Sequence, residues 1–195
     1  MKKEMPPEYY DKVYKNPKHL KNIEESGYYE LYKKAVDSIP TICSERIILD
    51  VGCGTGKIAS LIKKKGFKKY TGIDFSKTAI NIAKKMYPEF NFENIDLFEF
   101  HKKNGFENYN TFILLETLEH IQDDIKVLSL IPKNSVIIIS VPNSNFESHV
   151  RFFKTIEEVL DRYKNIFDNR YIQRYTIENP KKPGKKIFLI SGFKS

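Results

Sequence analysis

Three glycines at alternate positions, Gly52, Gly54 and Gly56, follow an apolar run at 46–51 and precede a segment with helical spacing. Glycine at such a junction lets the backbone turn sharply and lets a ligand approach where a Cβ would block it. The spacing is G-x-G-x-G. A dinucleotide fingerprint would need its third glycine at position 57, where Lys57 stands, and no G-x-x-x-x-G-K-[ST] loop is present. A nucleoside ligand without a pyrophosphate suits this pattern; the plainer alternative is a tight strand–helix turn. Asp74 ends the run KYTGID, 22 residues after Gly52. In a doubly wound sheet a carboxylate there faces the ligand crevice and accepts from both ribose hydroxyls. Ser76 is better placed to cap the following helix, which leaves Asp74 for a ligand. Asp96 follows the next run, where its carboxylate would accept from an adenine amino group while Leu97 packs on the ring. Taken alone, Asp96 is more simply a loop cap.

Acid–base chemistry would fall to histidine, and there are four. His19 and His101 have no motif around them and are expected at the surface. His120, in ETLEH, and His149, in ESHVRFF, each follow the carboxyl end of a strand-like run, the side on which such sheets bind ligands. They are the candidate catalytic bases. Cys53 sits inside the glycine loop, but no activating base adjoins it, so a nucleophilic role is not expected. Cys43 is the other cysteine, and two cysteines without zinc-ligand spacing indicate neither a stapled secreted fold nor a zinc site.

Positioning these groups falls to short elements. The runs at 46–51, 69–74, 90–95, 111–116 and 135–141 are rich in Ile and Val without clean polar alternation, as parallel strands covered on both faces are. Amphipathic segments at 57–66, 77–86 and 123–131 read as crossover helices. A helix is expected over 155–164, then strands over about 167–177 and 186–193, with Asn179, Pro180, Pro183 and Gly184 turning a hairpin between them. Residues 8–38 carry helical spacing that Pro40 ends, so residues 1–40 read as a helical extension and 41–195 as the ligand-binding domain. Six tyrosines in that extension, among them Tyr10, Tyr14 and Tyr28, suggest a lid. The architecture expected is α/β, a doubly wound, mostly parallel sheet closed by an antiparallel hairpin.

The 195 residues, 41% hydrophobic, suffice for one core and exclude a wholly disordered chain. No apolar stretch approaches the roughly 20 residues that span a bilayer, and no apolar segment follows the first lysines. A cytoplasmic location is the expectation. The net charge of +8 comes from 28 lysines against five arginines. Lysine is a hydrated point charge, whereas phosphate and base recognition favours the planar fork of arginine. A lysine-rich solvated surface is preferred to a nucleic-acid footprint.

The series LDVGCGTG, GIDFS, NIDL, LETLEHI and ISVPN resembles class I (Rossmann-like) S-adenosylmethionine-dependent methyltransferases, well over 46–142 and loosely over 149–193. LETLEHI and ISVPN are similar to the ubiquinone-biosynthesis O-methyltransferase branch. The resemblance implies a seven-stranded sheet whose last strand is antiparallel, with helices on both faces. It implies that Asp50 and the 52–56 loop, Cys53 included, hold the methionine moiety and that Asp74 takes the ribose, with Phe75 in the same cofactor-binding set. Asp96 and Leu97 would take the adenine, and Leu115 and Glu116 would line the methionine end. The family's usual PGG turn before the fifth strand is here Pro132-Lys133-Asn134-Ser135, away from the cofactor.

The function implied is direct methyl transfer from S-adenosyl-L-methionine to a small-molecule or natural-product acceptor, expected at oxygen. The alternative is a metal-dependent RNA 2′-O-methyltransferase. Glu116, Glu119 and His120 match the E-x-x-E-H of small-RNA enzymes, and His149 falls near their other metal-ligand histidine, but ubiquinone-type enzymes carry a similar motif. Without an arginine–aromatic stacking stripe, a metal and an RNA partner are the less favoured reading. A non-catalytic cofactor-binding partner is the third alternative. Nothing in the sequence fixes the oligomeric state.

Overall fold

A computed structural model describes residues 3–41, 45–179 and 182–195; Cys43, Pro180 and Lys181 lie outside the described residues. Five strands are parallel: β1 (Ile47–Val51), β2 (Lys69–Asp74), β3 (Asn91–Asn94), β4 (Thr111–Leu115) and β5 (Val136–Pro142). The hairpin of β6 (Gln173–Glu178) and β7 (Lys186–Phe193) closes the sheet, β7 lying antiparallel to both β5 and β6. The order is β3-β2-β1-β4-β5-β7-β6. Chain direction reverses its progress between β1 and β4, and the carboxyl ends of those neighbours flank the crevice where open α/β sheets bind ligands.

The period of two along each strand divides the core. Leu49, Val51, Phe112, Leu114, Ile137 and Ile139 face one layer, while Ile48, Ile113, Val136 and Ile138 face the other. The first layer is covered by α5 (Leu97–Asn104), α6 (Asp124–Ser129) and α7 (Ile156–Tyr163) through Phe100, Val127, Leu128, Val159 and Tyr163. The second is covered by α2 (Tyr29–Asp37), α3 (Ala59–Lys64) and α4 (Lys77–Met86) through Leu31, Ala35, Ala59, Ile62, Ile80 and Ala83. Both faces of the central strands are apolar because both are covered. Among the described residues no helix is long and apolar enough to cross a membrane.

Four local differences from the sequence expectations have physical reasons. The helical spacing over 8–38 is not one helix: α1 (Pro7–Tyr14) ends before Asn16, which caps a single turn at Pro17–Leu20. Pro17 lacks an amide hydrogen and disfavours helical geometry at the residue before it. Helix α2 belongs to the sheet's core, whereas α1 lies across the carboxyl ends of the strands, its Asp11 accepting from Ser76 Oγ (2.6 Å) and Thr78 N (2.9 Å). Helix α5 was not expected, although Asp96 and Glu99 have capping-box spacing and Gly105 follows the last turn at φ 67°. The strand expected over 167–177 shortens to β6, because Phe167 makes only one isolated bridge, to Lys194, before a turn at Asn169–Tyr171.

One buried carboxylate ties the second half together. Asp124, 1% exposed, accepts from Arg162 Nε (2.8 Å) and Nη2 (2.7 Å) and from the Tyr163 hydroxyl (2.8 Å), and Arg151 Nη1 lies 3.3 Å away. Arg151 also donates to the carbonyls of Leu118, Ile121 and Gln122, so the same network holds the turn after β4. Removing one partner of a buried ion pair typically costs about 3–5 kcal/mol, because the other charge is left desolvated. Asp124→Asn should therefore lower unfolding stability by about 3 kcal/mol, read as a lower urea midpoint at unchanged slope. An unchanged midpoint would show that Arg151 and Arg162 find other partners.

Candidate active site

The glycine loop is shaped by its own neighbours. Gly52 N and Cys53 N both donate to Ile73 O, at 2.8 and 3.0 Å, which folds the end of β1 over the end of β2. Gly54 N donates to Asp74 Oδ2 at 2.9 Å and Ser76 N to Asp74 Oδ1 at 2.8 Å. The expectation that Asp74 is left free is thus corrected: two backbone amides already hold it, while Ser76 does cap α4 through Ala79 N. A Cβ at Gly52, where φ is 73°, would stand 2.5 Å from Thr117 Oγ1. One at Gly54 would stand 2.8 Å from the Tyr14 hydroxyl. The protein's own side chains, from the turn after β4 and from α1, occupy the space these glycines leave.

A cavity opens above this loop, lined by Gly52, Asp74, Phe75, Asp96, Leu97 and Glu116 of the expected set, roofed by Tyr10 and Tyr14. Sequence reasoning missed Thr117, Phe98 and Ile121 on its wall. Asp50, Cys53, Gly54, Gly56 and Leu115 are not on that wall. Asp50 lies beneath the loop, its Oδ2 accepting from the Tyr70 hydroxyl at 2.6 Å. Cys53 has its thiol pushed upward by burial, then by Asp50 and Asp74, which makes it a poor nucleophile. Asp96 does cap α5, accepting from Phe98 N (2.8 Å) and Glu99 N (3.3 Å) through Oδ1. His19 and His101 are not free surface groups: His19 packs edge-on against Tyr14 and His101 against Phe106.

The cavity is acidic without counter-cations. Burial lifts Asp74 to about 6 against the pull of its two amides, and burial lifts Asp50 to about 7, the Tyr70 hydroxyl opposing and Asp74 adding. Among the described residues no lysine or arginine forms an ion pair with Asp50, Asp74, Glu116 or Glu119. The Tyr10 hydroxyl is buried there with no hydrogen-bond partner. Such a site suits a cationic ligand that also offers hydroxyl and amino donors.

Glu116 is the wall between this cavity and a second one. Its backbone is left-handed (φ 53°), a conformation costing a non-glycine residue about 1–3 kcal/mol, and it is held by Ser140 on β5. Ser140 Oγ accepts from Glu116 N and donates to Glu116 Oε1, both at 2.9 Å. Ser140 lies within the ISVPN motif, but nothing in the sequence tied its hydroxyl to Glu116. Glu116 and His120 line both cavities; Glu119, His149, Tyr28, Phe146 and Lys185 line the second alone.

The two imidazoles are oriented alike. His120 Nδ1 meets Ser148 O at 2.8 Å and His149 Nδ1 meets Ser144 O at 2.7 Å, which places the proton on Nδ1 and makes Nε2 the acceptor in each neutral ring. Their centroids are 4.9 Å apart at 76°. Burial pushes His120 down to about 4, keeping it neutral. Glu119, 1% exposed, places Oε1 3.7 Å from His120 Nε2, too long for a hydrogen bond, and its buried Oε2 has no partner. Burial and then the charge of Glu116 raise Glu119 well above the usual range, and burial raises Glu116. Glu119, His120 and His149 each offer a ligand atom within 4.8 Å of the others. Carbonyl-anchored imidazoles beside an orphaned carboxylate fit a divalent cation. Glu116, part of the four-residue set considered from sequence, is not in this group.

The loop geometry is testable through its tightest contact. Gly66→Ala, at φ 88° with open space around it, should cost only the roughly 1 kcal/mol of the left-handed backbone. Gly52→Ala must also displace Thr117 and should cost clearly more, within about 1–3 kcal/mol, in thermal unfolding. Equal losses would mean that Thr117 yields freely.

Residues 24–180, well over half the chain, match the family described as a methyltransferase domain. A ubiquinone biosynthesis O-methyltransferase of Histophilus somni is 28% identical over 116 residues, covering 54% of this chain and 48% of that protein. One from Alkalilimnicola ehrlichii is 31% identical over 113 residues, covering 54% and 45%. The chain thus spans about half the length of the curated relatives it matches. Among solved structures, a 1,6-didemethyltoxoflavin-N1-methyltransferase of Burkholderia thailandensis superposes at TM-score 0.65 with 16% identity, covering 84% of this chain and 78% of that one. That enzyme holds S-adenosylhomocysteine. With the glycine turn, the uncompensated acids and the seven-stranded order in place, the chain belongs to the methyltransferase-domain family of class I S-adenosylmethionine-dependent enzymes.

Proposed function

We propose that this chain transfers a methyl group from S-adenosyl-L-methionine to a hydroxyl oxygen of a small-molecule acceptor. The observation that carries this reading is the shared wall: two cavities, one of them acidic, have Glu116 and His120 in common among the described residues. The likeness to ubiquinone-biosynthesis O-methyltransferases supports oxygen as the acceptor atom, while the N1-methyltransferase shares only the fold.

In this assignment the 52–56 loop, backed by Asp50 and flanked by Leu115 and Glu116, holds the methionine moiety. Asp74 accepts from the ribose, and Phe75, Asp96 and Leu97 enclose the adenine. Helix α1 is the lid, with Tyr10 and Tyr14 over the methionine end. The sulfonium supplies a methyl group already activated toward a nucleophile, so alignment and exclusion of water are the protein's main tasks. An acceptor hydroxyl fits between His120 Nε2 and Glu119 Oε1, both acceptors, separated by 3.7 Å. As the oxygen attacks, its proton passes to the ionised form of Glu119, whose hold on a proton burial strengthens, while neutral His120 orients the hydroxyl and His149 completes the enclosure.

The orphaned Glu119 Oε2 and the two anchored imidazoles favour a second reading, a metal-dependent RNA 2′-O-methyltransferase. Glu119, His120 and His149 would hold the ion, which would act as a Lewis acid on the acceptor hydroxyl. A non-catalytic partner subunit is the third reading, removed by turnover with any acceptor. The discriminating assay follows S-adenosylhomocysteine release with hydroxylated small molecules and with RNA 3′ ends, before and after dialysis against chelator. The proposal expects small-molecule turnover that survives chelation. RNA turnover restored only by manganese or magnesium would install the second reading.

Cofactor binding should also be linked to protons. Asp74 titrates near 6 in the free protein, and ribose hydroxyls favour its charged form. Through this group affinity should fall as pH drops through 6, with proton release on binding in that window. Asp74→Asn should weaken binding by about tenfold or more and remove this pH dependence in calorimetry. A mutant that keeps the pH dependence would locate the linked proton elsewhere.

A further inference from the structure

The second cavity is divided in charge. Its floor is Glu116, Glu119, His120 and His149, and its rim is lysine: Lys182, Lys185 and Lys186 from the turn between β6 and β7. That turn is built, not loosely hung. Lys182 N donates to Asn179 O (3.0 Å), Lys185 N to Lys182 O (3.1 Å) and Asn179 N to Lys185 O (2.9 Å). Asn143, just after β5, clamps it from the other side: Lys186 N donates to Asn143 Oδ1 (2.8 Å), and Asn143 Nδ2 donates to Gly184 O (3.1 Å). The backbone that carries the three lysines is thereby held at the cavity mouth.

Their charges are not spent on the protein. Among the described residues Lys182 and Lys185 form no ion pair, and Lys186 reaches only Glu178, at 3.8 Å. Lys185 Nζ instead stands 5.1 Å above the ring of Phe146, which is 46% exposed and meets His149 edge-on at 5.2 Å. Phe146 and Tyr28 are the aromatic residues of the lining. Among the described residues six other lysines pair with carboxylates at 3.5 Å or less, whereas the charges of Lys182 and Lys185 are left for a ligand.

Resting on the acceptor-site reading above, we propose that the acceptor is a small planar molecule with an anionic group, carboxylate or phosphate, opposite its methylated hydroxyl. The anion lies on Lys182 and Lys185, the ring lies along Phe146, and the hydroxyl reaches the acidic floor. The same division disfavours the reverse orientation, since a carboxylate on the floor would be desolvated beside Glu116 and Glu119, far from the lysines of the rim. Orientation comes from the sign of the two ends. One such ammonium–anion contact contributes about tenfold in affinity.

The test uses 3,4-dihydroxybenzoate and its neutral amide, with phenyl phosphate as a second anion, on the wild-type chain and on Lys182→Glu/Lys185→Glu. Calorimetry in the presence of S-adenosylhomocysteine reads binding independently of turnover, and thioether release reads methylation. The expected result is that the benzoate binds about tenfold more tightly than the amide, and that the double variant abolishes this preference. A stronger effect of the variant on phenyl phosphate would name phosphate as the anion. Charge-dependent binding without turnover would sustain the anion site and reject the methyl-transfer reading. Equal binding of benzoate and amide, binding of neither anion, or an RNA 3′ end bound more tightly than both small anions would overturn the proposal.

Discussion

Asp50, Asp74 and Glu119 are buried to within 6% of their surface around the carboxyl ends of β1, β2 and β4, and Glu116 stands among them on a strained backbone. Desolvation disfavours charge on each, and neighbouring acids add to the effect. A fold stabilised for its own sake would place a lysine or arginine there, and this chain has 33 to place. It puts them elsewhere. The acidic crevice is matched to a ligand bearing positive charge at sulfur and nitrogen, and the rest of the architecture serves to hold those acids in place. Backbone amides fix Asp74, Ser140 fixes Glu116, and the carbonyls of Ser148 and Ser144 fix the imidazoles.

Stability and site geometry share one network. Asp124 orders Arg162, Tyr163 and Arg151, and Arg151 gathers the three carbonyls of the turn that carries Glu119 and His120. The helices of one sheet face are thus coupled to the floor of the second cavity. From the other side, α1 is fastened by Asp11 to the amino end of α4, two residues beyond Asp74. Cofactor cavity, acceptor cavity and both helical layers converge on the segment 116–120.

Much of this was legible in the sequence because it follows from local periodicity. The five parallel strands, α4, α7 and β7 fall within a residue or so of their expected bounds, since apolar runs between turn residues leave little choice. Helix α5 was missed because Asp96 was weighed as a ligand and its capping-box partner Glu99 was not weighed at all. Gly52 and Asp74 were found as cavity residues from glycine spacing and a strand end, and Glu116 from the family resemblance. Thr117, Ser140 and Arg151 were not, because each acts across elements distant in sequence: Ser140 is 24 residues from Glu116, and Arg151 reaches back 33 residues to Leu118. Gly52 has a further reason that its spacing did not show. Its missing side chain makes room for Thr117, a contact that exists only once β1 and β4 are neighbours.

The account turns on Glu116 and His120 separating donor from acceptor. A crystal structure with S-adenosylhomocysteine and 3,4-dihydroxybenzoate measures this directly. The account predicts the cofactor sulfur beside Glu116, facing His120, with the benzoate hydroxyl on the opposite side of that wall. A sulfur turned toward Tyr14, with no open path between the two cavities, would contradict it.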